Sequence, residues 1–179
     1  MHQPEDNRTW LLQIVQARAA GQTCLPARLG LDEQTYQALS RQYAFEANSW
    51  SSNQNAQAEQ EDLRQELLDL RQDEWDEIRT LLLSGRHGLD PAEEVMAAIV
   101  AAACLGGGHL WQDLGMTSRL QLHELLSYNF PDITARNTQN MRWKKFFYKQ
   151  LCEQEGGYVC RSPTCEQCPT YNDCFGDET

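Results

Sequence analysis

The sequence predicts an all-α protein: a helical bundle-like domain that ends in an irregular four-cysteine metal-cluster loop. Three observations lead there. Apolar residues recur at spacings of three and four through most of the chain, and no segment shows the strict alternation of a half-buried strand. The periodic segments are separated by helix punctuation such as Gly85-Arg86-His87-Gly88, Gly106-Gly107-Gly108 and Asn129-Phe130-Pro131. The stretch 157–179 instead gathers four cysteines and two prolines in a run too short to bury a core of its own. The expected organisation is a helical domain over 1–156 and a cysteine loop over 157–179.

The first helix is expected over 8–20, where Trp10, Leu11, Ile14, Val15 and Ala17 share one face and Gly21 suits the end. A second runs over 32–47, with Asp32 as N-cap and Tyr36, Leu39 and Tyr43 inward. Residues 48–60, rich in Ser, Asn, Gln and Ala, read as a loop. One long helix is expected over 61–83, with Leu63, Leu67, Leu70, Ile78, Leu81 and Leu82 as its buried stripe and its acids facing water. Asp90-Pro91-Ala92-Glu93 then carries a helix start signal, and the alanine-rich helix over 92–105 is apolar on most sides, as a central buried helix would be. Thr117 or Ser118 caps the next helix, which runs to about Tyr128 with Leu120, Leu122, Leu125 and Leu126 inward. Asn137 caps the last, to about Glu155. Its apolar stripe is Trp143, Phe146, Phe147 and Leu151, and its basic stripe is Arg142, Lys145 and Lys149.

Composition narrows the function. The chain has 179 residues, 41% hydrophobic and 23% charged, enough for one domain with a real core. Its start has neither a basic nor an apolar secretory region, and the longest apolar run, Val95 to Leu105, is too short to span a bilayer. A soluble cytoplasmic protein is expected. The formal net charge of −11 argues against nucleic-acid and anionic-membrane partners unless the bases cluster. They do: all three lysines, Lys144, Lys145 and Lys149, lie with Arg136 and Arg142 in a stretch without an acid. The acids gather elsewhere, nine of them between Glu59 and Glu77.

Cys160, Cys165, Cys168 and Cys174 form a C-x4-C-x2-C-x5-C pattern. In a reducing compartment thiols so placed hold a soft metal rather than cross-links. Structural zinc sites usually split into two short pairs, whereas this uneven path with a single C-x2-C suits an iron–sulfur cluster better. Neighbouring bases would offset the charge of the thiolates and could draw in a small oxyanion, which makes Arg142, Lys145 and Lys149 candidate anion contacts. His109, after three glycines that could form an anion nest, is a candidate ligand or anion contact, with Asp113 four residues on as its helical partner. Cys152 is a spare candidate ligand, while Cys24 and Cys104 read as structural. No phosphate loop, nucleophile elbow or dinucleotide fingerprint is present, and no enzymatic activity is expected. On the residues alone, a nucleic-acid-binding protein with a structural iron–sulfur cluster and a zinc-stabilised interaction module stay open beside a cluster carrier.

His109-Leu110-Trp111-Gln112-Asp113-Leu114-Gly115, Asn129-Phe130-Pro131, the run from Met141 to Tyr148 with Leu151-Cys152, and the cysteine ending followed by Phe175-Gly176 resemble the NifQ family of nitrogen-fixation accessory proteins. The resemblance is strongest over 109–156 and in the cysteine motif. It implies a molybdenum carrier that binds a molybdenum–iron–sulfur cluster, with molybdate as the molybdenum source, for biosynthesis of the nitrogenase iron–molybdenum cofactor. Cys160, Cys165, Cys168 and Cys174 would be the ligands. The partners would be the nitrogenase cofactor scaffold proteins and the nitrogenase iron protein, and the carrier a monomer.

Overall fold

The computed structural model describes residues 5–45, 54–154 and 171–176. Ten helices are present among the described residues, and no strand: α1 (Asn7–Ala19), α2 (Glu33–Tyr43), α3 (Gln54–Leu70), α4 (Gln72–Ser84), α5 (Glu93–Cys104), α6 (Leu110–Asp113), α7 (Arg119–Asn129), α8 (Pro131–Arg136), α9 (Trp143–Gln154) and α10 (Tyr171–Phe175). The all-α expectation holds. The cysteine loop is outside the described residues apart from its last turn, α10, which is helical rather than irregular.

α5 is the axis. Every residue from Met96 to Cys104 is buried, so the helix has no wet face along that run. Its alanines let neighbours approach closely, and Gly30 shows how closely: a Cβ there would lie 2.6 Å from that of Ala102, at a φ of +83° that favours glycine. α4 packs along α5 through Ile78, Leu81 and Leu82, and Trp75 donates its indole N–H to the Ala98 carbonyl at 3.0 Å. Burying each of these large aliphatic side chains contributes about 1.5–3 kcal/mol before entropy. α9 lies against α4 and sends Trp143, Phe146 and Phe147 into the core.

Local signals explain most ends. Asp6, Asp32 and Ser118 each accept a backbone N–H in the first turn of α1, α2 and α7. Asp90 accepts the Ala92 N–H at 2.9 Å and so stiffens the approach to α5. α1 is tied to α7 by reciprocal amides: Asn7 and Asn129, both buried, each donate to the other at 2.8 Å.

Several expectations are corrected. The helix expected over 61–83 is two helices that part at Arg71, and α3 reaches back into the segment expected to be a loop over 48–60. The break rotates α3, so that Leu63, Leu67 and Leu70 are exposed while Leu68 and Glu61 turn inward. Glu61 is held by Arg18 of α1 at 2.7 Å, and this buried ion pair rather than the leucine stripe anchors α3. Leu120 is exposed as well. Pro131, expected only as a stop, starts α8, which suits a residue with no N–H to satisfy. Asn137 does not cap α9. Its carboxamide closes a turn onto the Met141 N–H and carbonyl, each at 2.8 Å, and the helix begins at Trp143.

Candidate functional site: a basic cleft and the returning C-terminal cysteine

The C-terminal end of α5 leaves carbonyls that the helix itself cannot satisfy. Two bases take them. Arg71, at the α3–α4 break, donates to the Leu105 carbonyl at 2.9 Å, and Lys144, in the first turn of α9, donates to the Gly106 carbonyl at 2.7 Å. Each base is held by a carboxylate: Arg71 by Glu74 at 2.6 Å, and Lys144 by Asp113 at 2.5 Å. The Arg71 guanidinium keeps the Glu74 carboxyl below its usual range, and burial raises the Tyr148 phenol that shares Glu74.

Between these pairs lies a cleft of about 600 Å³. Arg71 and Glu74 form one wall, Gly106 to Leu110 the floor, and Arg142, Lys144, Lys145 and Tyr148 of the α9 start the other wall. Asp173 of α10 stands at the margin. Among the described residues four bases face two carboxylates, and Asp113 behind Lys144 makes three, on a chain of net charge −11.

α10 brings the tail back to this place. The Arg142 backbone N–H donates to the Cys174 carbonyl at 2.6 Å, and its Nε to the Gly176 carbonyl at 2.9 Å. Cys174 and Phe175 pack against the core from there. Of the predicted ligands, Cys174 thus sits beside the cleft, on the residue next to Asp173. Cys160, Cys165 and Cys168 lie outside the described residues. Among the described residues no three His, Cys, Asp or Glu side chains converge as a metal site.

The other candidates separate. His109 lines the cleft as the N-cap of α6, and Arg142 and Lys145 line it too. Lys149 does not: it turns to Glu153 at 3.8 Å, one helical turn further on. Cys152 does not line the cleft, although it follows Tyr148 by four residues on the same face of α9. The expected pairing of His109 with Asp113 is replaced by the Asp113–Lys144 pair. The glycine nest is not open to an outside anion either, because Asp113 accepts the Gly108 N–H at 3.0 Å. A Cβ on Gly106 would fall 2.5 Å from the Cys24 sulfur and 2.6 Å from an Asp113 oxygen, so glycine is required there.

Cys104 also lines the cleft, and Cys24 lies against Gly106 of its floor. Burial, reinforced by Asp113, pushes the Cys24 thiol up to about 11, and burial pushes Cys104 up to about 12. Both are neutral at pH 7 and are poor ligands, in keeping with a structural role. The lining residues that the sequence did not single out are Arg71, Glu74 and Tyr148, while Lys144 stood out only as a member of the basic cluster. Arg71 carried a faint signal as one of two bases inside an acidic run.

In class, then, this is an all-helical protein with a positively lined cleft onto which a cysteine-bearing tail folds. The NifQ family model matches residues 10–176, and the chain belongs to the NifQ family. It is 58% identical over 174 residues to the Protein NifQ of Azotobacter vinelandii, covering 96% of this chain and 89% of that one. It is 37% identical over 167 residues to the Protein NifQ of Klebsiella pneumoniae, covering 93% and 96%. It is 46% identical over 99 residues to a NifQ homolog of Sinorhizobium fredii, covering 55% and 43%. No solved structure matches. Family membership implies a role in nitrogen fixation and in the biosynthesis of its iron–molybdenum cofactor. No helix among the described residues is long and apolar enough to cross a membrane.

Proposed function

We propose that this protein is a molybdenum carrier for assembly of the nitrogenase iron–molybdenum cofactor. Its cargo is a molybdenum–iron–sulfur cluster, held by Cys160, Cys165, Cys168 and Cys174 and passed on without turnover. The observation that supports this reading best is the return of Cys174 to the cleft, fixed by two hydrogen bonds from Arg142. The backbone of Cys174 is thereby held beside the basic lining of the cleft, with its neighbour Asp173 in that lining. The cluster supplies the soft sulfide environment for molybdenum; the chain supplies the ligands and the charge that balances them.

A carrier must also release what it holds. Ligands on one terminal segment suit release, because the helical core need not unfold for them to separate. The recipients in this proposal are the cofactor scaffold proteins and the nitrogenase iron protein, met in the cytoplasm by a monomeric carrier. Removing the Arg142 hydrogen bond to the tail tests the supporting observation. Arg142→Ala should keep the helical circular dichroism signal and lose iron more quickly to a chelator. Iron retention equal to wild type in that variant would show that docking of Cys174 has no part in holding the cargo.

A further inference from the structure

The outer face of α3 is not used by the packing among the described residues. The inner face already secures the helix, through the Arg18–Glu61 ion pair, Leu68 in the core and Arg64 on the Leu25 carbonyl at 3.4 Å. Leu63, Leu67 and Leu70 turn outward and are 58%, 56% and 83% exposed. Spacings of four and three put them in one line along the helix. Single apolar side chains scattered over a surface are ordinary; three in line on one helix, edged by charge, mark a contact surface. The edge is acidic. Glu59, Asp62, Glu66 and Asp69 run beside the leucines at spacings of three, four and three, and all are exposed. Glu59, Asp62 and Glu66 make no ion pair among the described residues. In a heptad register Leu63 and Leu70 are at d, Leu67 is at a, and Glu59 and Glu66 are both at g, the position that meets the flanking charges of a partner helix.

We propose that this face of α3 docks a basic amphipathic helix of another protein, one with an apolar stripe edged by lysine or arginine. The leucines supply the buried area, and the acids select and orient the partner. A second copy of this chain is a poor match. Two such helices set antiparallel would bring g acids against g acids. The bases on the opposite edge are engaged within their own chain, Arg64 on the Leu25 carbonyl and Arg71 on Glu74 and the Leu105 carbonyl. Each copy also carries a net charge of −11, so two copies repel. Three leucines over about two helical turns make a small contact, which suits a partner that visits and leaves. The inference does not depend on the carrier reading, because it holds whether or not the chain carries a metal.

The test is fluorescence anisotropy of a labelled synthetic helix, with leucine at a and d and lysine at e and g, titrated with the full-length protein. Wild type should bind this helix and should not bind its counterpart with glutamate at e and g. Leu67→Gln/Leu70→Gln keeps the helix propensity and should weaken binding at least about tenfold, and Glu66→Lys about fivefold. Glu124→Lys makes the same change in net charge at an exposed position of α7 and should bind as wild type. No binding by wild type, unchanged binding in the leucine variant, or equal weakening by Glu66→Lys and Glu124→Lys would each overturn the surface. Two further measurements address other occupants. Wild type should sediment as a monomer; a dimer that the leucine variant abolishes would overturn the proposal in favour of self-association. The leucine variant should unfold in urea close to the wild-type midpoint; a large drop would overturn it by assigning the leucines to the chain's own packing.

Discussion

At the scale of single residues, the region around the cleft floor is held by groups whose charge states are fixed by burial. Cys24 and Cys104 have thiols raised to about 11 and about 12, above the unfolded value of about 8.5. The folded state therefore keeps protons that the unfolded chain gives up between about pH 8.5 and 12. Stability from this source is complete below that window and is lost as pH rises through it. Chemical denaturation of the metal-free protein should show a decline above pH 9 that is smaller in Cys24→Ala/Cys104→Ala; an identical decline in that variant would assign it to other groups. Asp113 is the other key residue. It holds Lys144 and the Gly108 N–H at once, and both partners of the ion pair are about 15% exposed, at 15% and 14%. Asp113→Asn should cost about 2–3 kcal/mol in urea unfolding, somewhat less than breaking a fully buried pair.

At the scale of elements, the helices were largely legible and their faces less so. α1, α2, α5 and α7 lie close to their expected ranges because caps, glycines and apolar spacing agree there. α3 and α4 were fused in the sequence reading because leucine spacing runs on through Arg71, and only a tertiary demand stops the helix: Arg71 is needed at the end of α5. That demand also rotates α3 and exposes Leu63, Leu67 and Leu70. The anchor of α3 becomes Arg18–Glu61, with both side chains 6% exposed. Glu61→Leu should cost about 3–5 kcal/mol, because it strands Arg18 in the interior, whereas Arg18→Met/Glu61→Leu should recover most of the loss. A double variant as unstable as the sum of the singles would remove the coupling. The candidate site was half legible for the same reason. Lys145 stood out by its spacing from Arg142, but Lys144, one residue away, also lines the cleft because the cleft wraps the first turn of α9. Lys149 fits the stripe and faces elsewhere, since its nearest carboxylate, Glu153, lies one turn on.

At the scale of the whole molecule, the proposed carrier would divide its work between the helical body and the cysteine-bearing segment. The body is organised on α5, and the same helix end that closes its core, through Arg71 and Lys144, builds the positive cleft. The tail returns to that cleft at Cys174, so an acidic protein presents its basic lining where a thiolate-held, negatively charged cargo would rest. Family membership fixes the setting as nitrogen fixation, and the cleft and tail carry the proposal of a molybdenum donor further. The central claim is that the four cysteines together hold a molybdenum–iron–sulfur cargo. Metal analysis of anaerobically purified protein tests it most directly, on wild type and on Cys165→Ser and Cys168→Ser. The account predicts iron and molybdenum in the wild type and loss of both in each variant with the helical fold intact; zinc without iron in the wild type, or unchanged iron and molybdenum in the variants, would contradict it.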